Sequence, residues 1–418
     1  MKLGEVGNAD ATKYGKPLDG IRILAIEQMQ ALPFATQLLA RLGADVVKIE
    51  HPIDGEMARP SAPFMRDPAG RVVGATFLRN NLNKRSIGID LKAPEGRQLI
   101  LDLAPRFDIV AENFKAGALA NMGLGYSDIA KLHPPVIYLS ISGFGNLVDS
   151  PYDSWPAFAA VAEAMSGMYD FKQVGDSPPI VSPFGALGDT TSGLFGVVGV
   201  LAALRQRDRT GIGQHVDIAM YDALISMADI VAQYWSMGAR ERGALPLIMD
   251  GFRATDGWFV VQCGRPFQFH RLADIIGKPE WKADPSLATG AQWRAAMETI
   301  IRPGVEGWAG ARTKLECCHV LAGAGVAAGP CNTAEDVIND PHVAARHMLV
   351  EMPRTDGEAS TRPEPILVPG NPVKMSKMAD GPDTRVPWVG EHTAEVLCDE
   401  LGLSPAEYER LRAAKVVA

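Results

Sequence analysis

The sequence predicts an α/β protein: a Rossmann-like large domain built on a mostly parallel sheet, followed by a second, smaller α+β domain. Three observations carry this. Residues 18–52 read as strand, helix and strand; the same alternation of short β-branched runs with helical stretches repeats as far as residue 145; and the texture changes after Gly238 to alternating strands around a tight turn.

In the first unit, Ile21–Ala25 is the opening strand, Pro33–Leu42 the helix and Asp45–Ile49 the second strand. Pro33 suits a first helical turn, where its missing N–H leaves nothing unpaired, and Gly43 suits the residue just past a helix end. Ser86–Leu91, Glu95–Phe107, the run Asp108–Phe114 and the strand opening at Val136 continue the pattern. Ser192–Arg207 is apolar nearly all round, which predicts a buried helix stopped by Gly211 and Gly213. Gly193, Gly196 and Gly199 recur along it and predict close packing against another element. Residues 219–238 form a further helix. The strands on either side of Asp256-Gly257 read as a hairpin opening the smaller domain. The proline-rich stretch Pro353–Pro387 reads as an extended linker, and a final helical segment follows from His392. The expected division is therefore 1–215 for the large domain, completed by 388–418; 216–244 for a linker helix; 245–335 for the small domain; and 336–387 for an extended return linker.

Composition narrows the function. The chain has 418 residues, 47% hydrophobic and 22% charged, as expected of a globular enzyme with two cores. Its net charge of −8 contains no block of Lys or Arg to neutralise a nucleic-acid backbone, so no nucleic-acid partner is expected. Five cysteines, two of them adjacent, make neither a disulfide framework nor a Cys-x-x-Cys metal site. The N-terminus lacks the apolar core of a signal peptide and no unbroken membrane-length apolar run is evident, so a cytoplasmic address without membrane attachment is the expectation.

The chemistry centres on Asp189, a lone acid after Gly188 and before the long apolar helix. One reading makes it an N-cap, its oxygen satisfying free N–H groups of the first turn. The other makes it a nucleophile: a helix N-terminus keeps a carboxylate ionised, spare amides can hold an oxyanion, and attack on a thioester yields a mixed anhydride. On this second reading Gly188 leaves room for an acyl group. No Gly-x-Ser-x-Gly elbow supports a serine hydrolase, His342 and His347 have the wrong spacing to share a metal on one helix face, and Gly143-Phe144-Gly145 lacks the third glycine of a dinucleotide fingerprint. Neither a metal nor a nicotinamide cofactor is expected.

Seven stretches in order, among them "LDGIRILAIEQMQALPFATQLLARLGADVVKIEHP", "NKRSIGIDLKAPEG", "DIVAENFKAGALANMGLGY", "GALGDTTSG" and "VGEHTAEVL", resemble the signatures of the class III (CaiB/BaiF, formyl-CoA transferase-like) CoA-transferases. The resemblance implies transfer of coenzyme A between an acyl-CoA and a carboxylic acid in an interlocked homodimer. It also implies acyl-aspartyl anhydride and aspartyl-CoA thioester intermediates on Asp189, with Gln30 orienting the reacting carbonyl. Coenzyme A, as a substrate, would lie along Met29, Ala31, His51, Ile89, Lys92, Asn113, Phe114 and Met220, with Lys92 and Arg85 as phosphate partners.

Some positions depart from the pattern. His51, Asn121 and Ser142 stand where the formyl-CoA enzyme has basic residues, its glycine-rich loop has no counterpart here, and Phe158-Ala159 replaces a common aromatic–aspartate pair. Arg265, Phe267, Phe269 and His270 are expected beside the acyl pocket. Two other functions compete. An α-methylacyl-CoA racemase would need a histidine after the Gly143–Gly145 turn, and none lies between His133 and His215; a non-catalytic acyl-CoA-binding subunit would not need Asp189 and Gln30.

Overall fold

The computed structural model describes the chain except residues 154, 173–176, 180, 183–184, 229–230, 239–245 and 357–363, and the side chains of 171–172. The chain divides into two units, Met1–Met237 with Ala344–Ala418, and Gly238–Val343.

In the first unit six strands form one parallel sheet: β1 (Arg22–Ile26), β2 (Asp45–Glu50), β5 (Lys84–Gly88), β6 (Ile109–Glu112), β7 (Ile137–Ser142) and β8 (Gln214–Ala219). The short hairpin β3 (Phe64–Arg66) and β4 (Val72–Gly74) stands apart from it. The sheet order β5-β2-β1-β6-β7-β8 reverses direction between β1 and β6, the topological switch point of doubly wound folds, where ligands bind beyond the strand C-termini. Both faces are covered, which is why the strands read as apolar runs. One face packs on α1 (Ala31–Arg41) and the long helix α7 (Leu187–Thr210) through residues such as Leu32, Leu39, Val200 and Ala203. Between these helices in sequence come α2 (Ala75–Asn80), α3 (Pro94–Leu103), α4 (Tyr126–Leu132), α5 (Ala159–Met165) and α6 (Met168–Lys172), and α8 (Met220–Met227) follows β8. The other face packs on α3, α4 and the chain's end, where Val396, Leu397, Leu411 and Val417 join the core.

Residues 216–219, assigned to the linker helix from sequence, belong instead to β8, whose register pairs Val216 with Leu139 and Ala219 with Ser142. Helical structure starts only at Met220 and resumes in α9 (Val231–Ser236). The end of the predicted linker helix at 239–244, residue 245, and residues 357–363 of the return linker lie outside the described residues. Within that return segment residues Pro341–Ala345 are helical and β12 (Leu349–Met352) pairs antiparallel with β13 (Ile366–Pro369), so it folds back on itself and is not one extended linker. The second unit carries the expected hairpin, β9 (Ile248–Ala254) and β10 (Gly257–Cys263), with β11 (Ala327–Pro330) on its free edge. Its core is anchored by Phe269, stacked on Trp293 at 4.6 Å.

The apolar circumference of α7 predicts burial all round, but the structure buries one side of it. Gly193, Gly196, Val200 and Ala203 face the sheet and α1, while Leu194 and Val198 are exposed. Among the described residues α7 alone is long and apolar enough to cross a membrane, a composition that its packed side accounts for here. The glycines face their neighbours closely: a Cβ on Gly193 would sit 2.7 Å from the Ala31 carbonyl oxygen, and one on Gly199 2.5 Å from the Val216 side chain.

Gly193→Ala is therefore expected to destabilise the protein by about 1–3 kcal/mol in thermal or urea unfolding, as overpacking does. Gly307→Ala, on an exposed helical position with open space around it, is expected to be neutral or stabilising by up to about 1 kcal/mol.

Candidate active site

At the C-terminal edge of the sheet, over the switch point, a cleft of about 300 Å³ is lined by the turns that follow β1, β6 and β7 and by the starts of α7 and α8. The turn after β1 is held from two sides. The Gln28 N–H donates to Asn113 Oδ1 and Asn113 Nδ2 donates back to the Gln28 carbonyl, both at 2.9 Å, tying the turn after β1 to the turn after β6. Met29 takes a left-handed backbone (φ 58°), a strained conformation for its type, and its N–H donates to Glu56 Oε2 at 2.9 Å. Gln30 is then the N-cap residue of α1, and its side chain does not cap the helix.

Beneath this turn lies a buried set of three cations and three carboxylates. Lys84 Nζ donates to Glu27 at 2.7 Å, Lys48 lies between Glu27 and Glu56, and Arg59 grips Glu50 with two bonds of 2.6 Å. Burial would raise the Glu27 carboxyl, but Lys84 and Lys48 outweigh it and hold its pKa below the usual carboxylate value.

Asp189 is the third residue of α7, and Ala186 occupies the N-cap position. The N-cap reading of Asp189 is thus corrected: the helix begins three residues earlier than that reading requires. Among the described residues its carboxylate accepts no hydrogen bond, and it lines the cleft. Burial, with the nearby Glu163 carboxylate, pushes its pKa up to about 6. Gly188 does not leave acyl space either. A Cβ there would lie 3.0 Å from both Ala159 Cα and Met220 Sδ, so the glycine lets α5 and α8 close on the start of α7.

The cleft brings together Asp189, Gln30, Met29, Ala31, Asn113, Phe114 and Met220. His51 follows β2, and Ile89 and Lys92 follow β5, so these three sit on the same sheet edge but outside the cleft's lining. His51 Nδ1 accepts from the Asp54 N–H, Ile89 is buried in a bridge to Val417, and Lys92 is exposed. Arg85 lies at the opposite edge, near the N-terminal end of its strand, bonded to Asp45, Glu395 and Glu400. Its guanidinium is committed there, which removes it from the set of phosphate partners. Phe269, expected near a pocket, is wholly buried in the second unit's own core.

Sequence reasoning missed Glu56, Glu112 and Glu163. Glu163 is a lone acid in an alanine-rich helix, the same signal that singled out Asp189; nothing in its sequence surroundings marks Glu56. Ser140, His215 and Asp217 also meet, but Ser140 is wholly buried and its hydroxyl donates to Asp217 at 2.9 Å, which is not the order of a serine nucleophile.

The sequence of residues 18–393 matches the profile of CoA-transferase family III. The chain belongs to this family. As a class III CoA-transferase it is an enzyme that transfers coenzyme A, and its named relatives agree. It is 35% identical to a succinyl-CoA:mesaconate CoA-transferase of Haloarcula hispanica, over 92% of this chain and 96% of that one. It is 32% identical to the beta subunit of a succinyl-CoA–L-malate CoA-transferase of Chloroflexus aurantiacus, over 98% and 100%. A formyl-CoA:oxalate CoA-transferase of Streptomyces avermitilis is also 32% identical, over 96% and 100%. Among solved structures, a CaiB/BaiF family protein from Brucella suis superposes with a TM-score of 0.79 at 31% identity, covering 92% of this chain and 99% of that one.

Beside the cleft, burial and then Asp217 push the Glu112 carboxyl of this transferase up to about 8, against the Phe114 N–H that it accepts at 2.7 Å. The unfolded chain ionises this group near 4.5, so the native state binds the extra proton between about 4.5 and 8, and stability falls as pH rises through that window. Glu112→Gln is expected to remove this contribution. Its melting temperature relative to the parent should climb from pH 5 to pH 8 in parallel scans.

Proposed function

We propose that the chain moves coenzyme A from an acyl-CoA thioester to a carboxylic acid through covalent intermediates on Asp189. The observation that carries this reading is a half-buried carboxylate without a hydrogen-bonding partner among the described residues, in the first turn of a 24-residue helix and on the wall of a cleft. The positive end of α7 favours its charge, and partial desolvation makes it a stronger nucleophile than a solvated aspartate.

In the proposed sequence Asp189 Oδ attacks the thioester carbonyl and the CoA thiolate leaves, giving an acyl-aspartyl anhydride. The thiolate then attacks the aspartyl carbonyl and releases the donor acid as its carboxylate, leaving an aspartyl-CoA thioester. The acceptor carboxylate repeats the two steps in reverse order, so no net proton or external reductant is consumed. Gln30 is positioned by the Met29 turn to orient the reacting carbonyl. Met29, Ala31, Asn113, Phe114 and Met220 would flank the pantetheine end, and His51, Ile89 and Lys92 lie in the direction the nucleotide end would take along the sheet edge.

The relatives named for succinyl-CoA make that thioester the first donor to test, with small dicarboxylic acids as acceptors. No histidine lines the cleft among the described residues, which leaves the racemase reading without its second proton-transfer group. An interlocked homodimer, as the family resemblance implies, would cover the outward apolar side of α7 at Leu194 and Val198; light scattering at micromolar concentration tests it.

Incubation with succinyl-CoA and hydroxylamine is expected to give a hydroxamate on Asp189, detected by peptide mass spectrometry. Asp189→Asn and Asp189→Ala should reduce CoA exchange by about three orders of magnitude or more, the scale of losing a covalent nucleophile. Retained exchange in both would sink the mechanism. Because the attacking carboxylate must be ionised, exchange should fall as pH drops below about 6. Gln30→Ala should cost about ten- to a hundredfold in kcat with a smaller change in KM.

A further inference from the structure

Glu163 sits on α5, 2% exposed, in an otherwise Ala-, Val- and Met-rich helix, a costly place for a carboxylate. Its two oxygens are engaged by two other elements. Oε1 accepts from the Gly188 N–H of α7 at 3.1 Å, and Oε2 accepts from the Tyr169 hydroxyl of α6. Both partners are donors, so the geometry suits the ionised carboxylate. The Gly188 amide is one of the free N–H groups of the first turn of α7 and is adjacent to Asp189, so this tie fixes the turn that carries the nucleophile.

We propose that Glu163 is a positioning residue for Asp189, anchoring the first turn of α7 and placing a second carboxylate beside the nucleophilic one. The proposal rests on the covalent reading above. When Asp189 attacks the thioester carbonyl, its negative charge leaves with the CoA thiolate as the carbon–sulfur bond breaks and the anhydride forms. Esterification therefore removes one of two facing like charges. Repulsion from Glu163 raises the energy of the free carboxylate but not that of the anhydride or the thioester, which favours covalent capture. The raised pKa of Asp189, to which Glu163 contributes after burial, agrees in sign.

The groups facing Glu163 are Tyr169 of α6 and Asp189 of α7. Among the described side chains, the other ionisable groups on the packed elements are Asp170 of α6 and Tyr221 and Asp222 of α8, while Arg205, Arg207, Asp208 and Arg209 lie at the far end of α7.

The test uses the full-length enzyme with 13C-labelled aspartate, the Asp189 signal being assigned by its loss in D189N. In E163Q, which keeps the shape and removes the charge, the Asp189 titration should move down by about one pH unit. The acid limb of kcat should move with it, and kcat at neutral pH should fall about tenfold with KM for acyl-CoA changed by no more than about twofold. E163D retains the charge, so its Asp189 midpoint should stay within about half a unit of the parent even though the tie to Gly188 is lost. It also serves as the folded comparison if the glutamine variant does not fold. An unmoved midpoint in E163Q, or an E163D midpoint lowered by a full unit, overturns the proposal. A midpoint that moves while no hydroxamate forms on Asp189 in the parent sinks the covalent reading instead, and the positioning role with it.

Discussion

Helices α1 and α7 can bring their N-termini to one cleft because their backbones touch. Gly193, one turn beyond Asp189, leaves the Ala31 carbonyl in the place its side chain would fill, and Ala31 is the residue after Gln30. The positions of Asp189 and Gln30 are thus set by a backbone contact, which has far less slack than one between flexible side chains. Glycine inside a helix costs about 1 kcal/mol relative to alanine, and α7 carries it at positions 188, 193, 196 and 199. At each of these sites an added Cβ would meet a neighbouring element within about 3 Å, so the intrinsic penalty is the condition for close approach.

The charges buried beneath the Met29 turn act in the same direction. Lys48, Lys84 and Arg59 balance Glu27, Glu50 and Glu56 in number, and the pairs bridge the turn after β1, β2, β5 and the segment after β2. Buried ion pairs recover little more than the desolvation they cost, so the network's main effect is geometric. Through Glu56 it accepts the Met29 N–H and holds a left-handed residue that a relaxed turn would not keep. Asn113 pins the preceding residue from the turn after β6, so the turn carrying Gln30 is fixed both from below and from across the switch point.

Asp189 and Glu163 are both carboxylic side chains on packed helices, and the fold treats them differently. Glu163 is satisfied by two donors, whereas Asp189 accepts no hydrogen bond among the described residues. An unsatisfied, partly desolvated carboxylate gains from forming a covalent bond, which is the thermodynamic condition that nucleophilic chemistry requires.

The alternation of strand and helix from Ile21 to Gly145, the long helix after Gly188 and the hairpin at Asp256-Gly257 were determined by local sequence, because periodicity and turn chemistry act over a few residues. Asp189, Gln30, Asn113 and Met220 were legible as a group through ordered motifs. Tertiary structure alone decided which end of the sheet each residue occupies. Arg85 lies only a few residues before Ile89, yet its place near the start of a parallel strand puts it on the edge away from the cleft, among Asp45, Glu395 and Glu400. It also decided that Gly188 makes room for Ala159 and Met220, and that Glu163, a quarter of a hundred residues upstream, reaches the amide beside Asp189. Such contacts depend on how separate elements pack, and no local pattern encodes that.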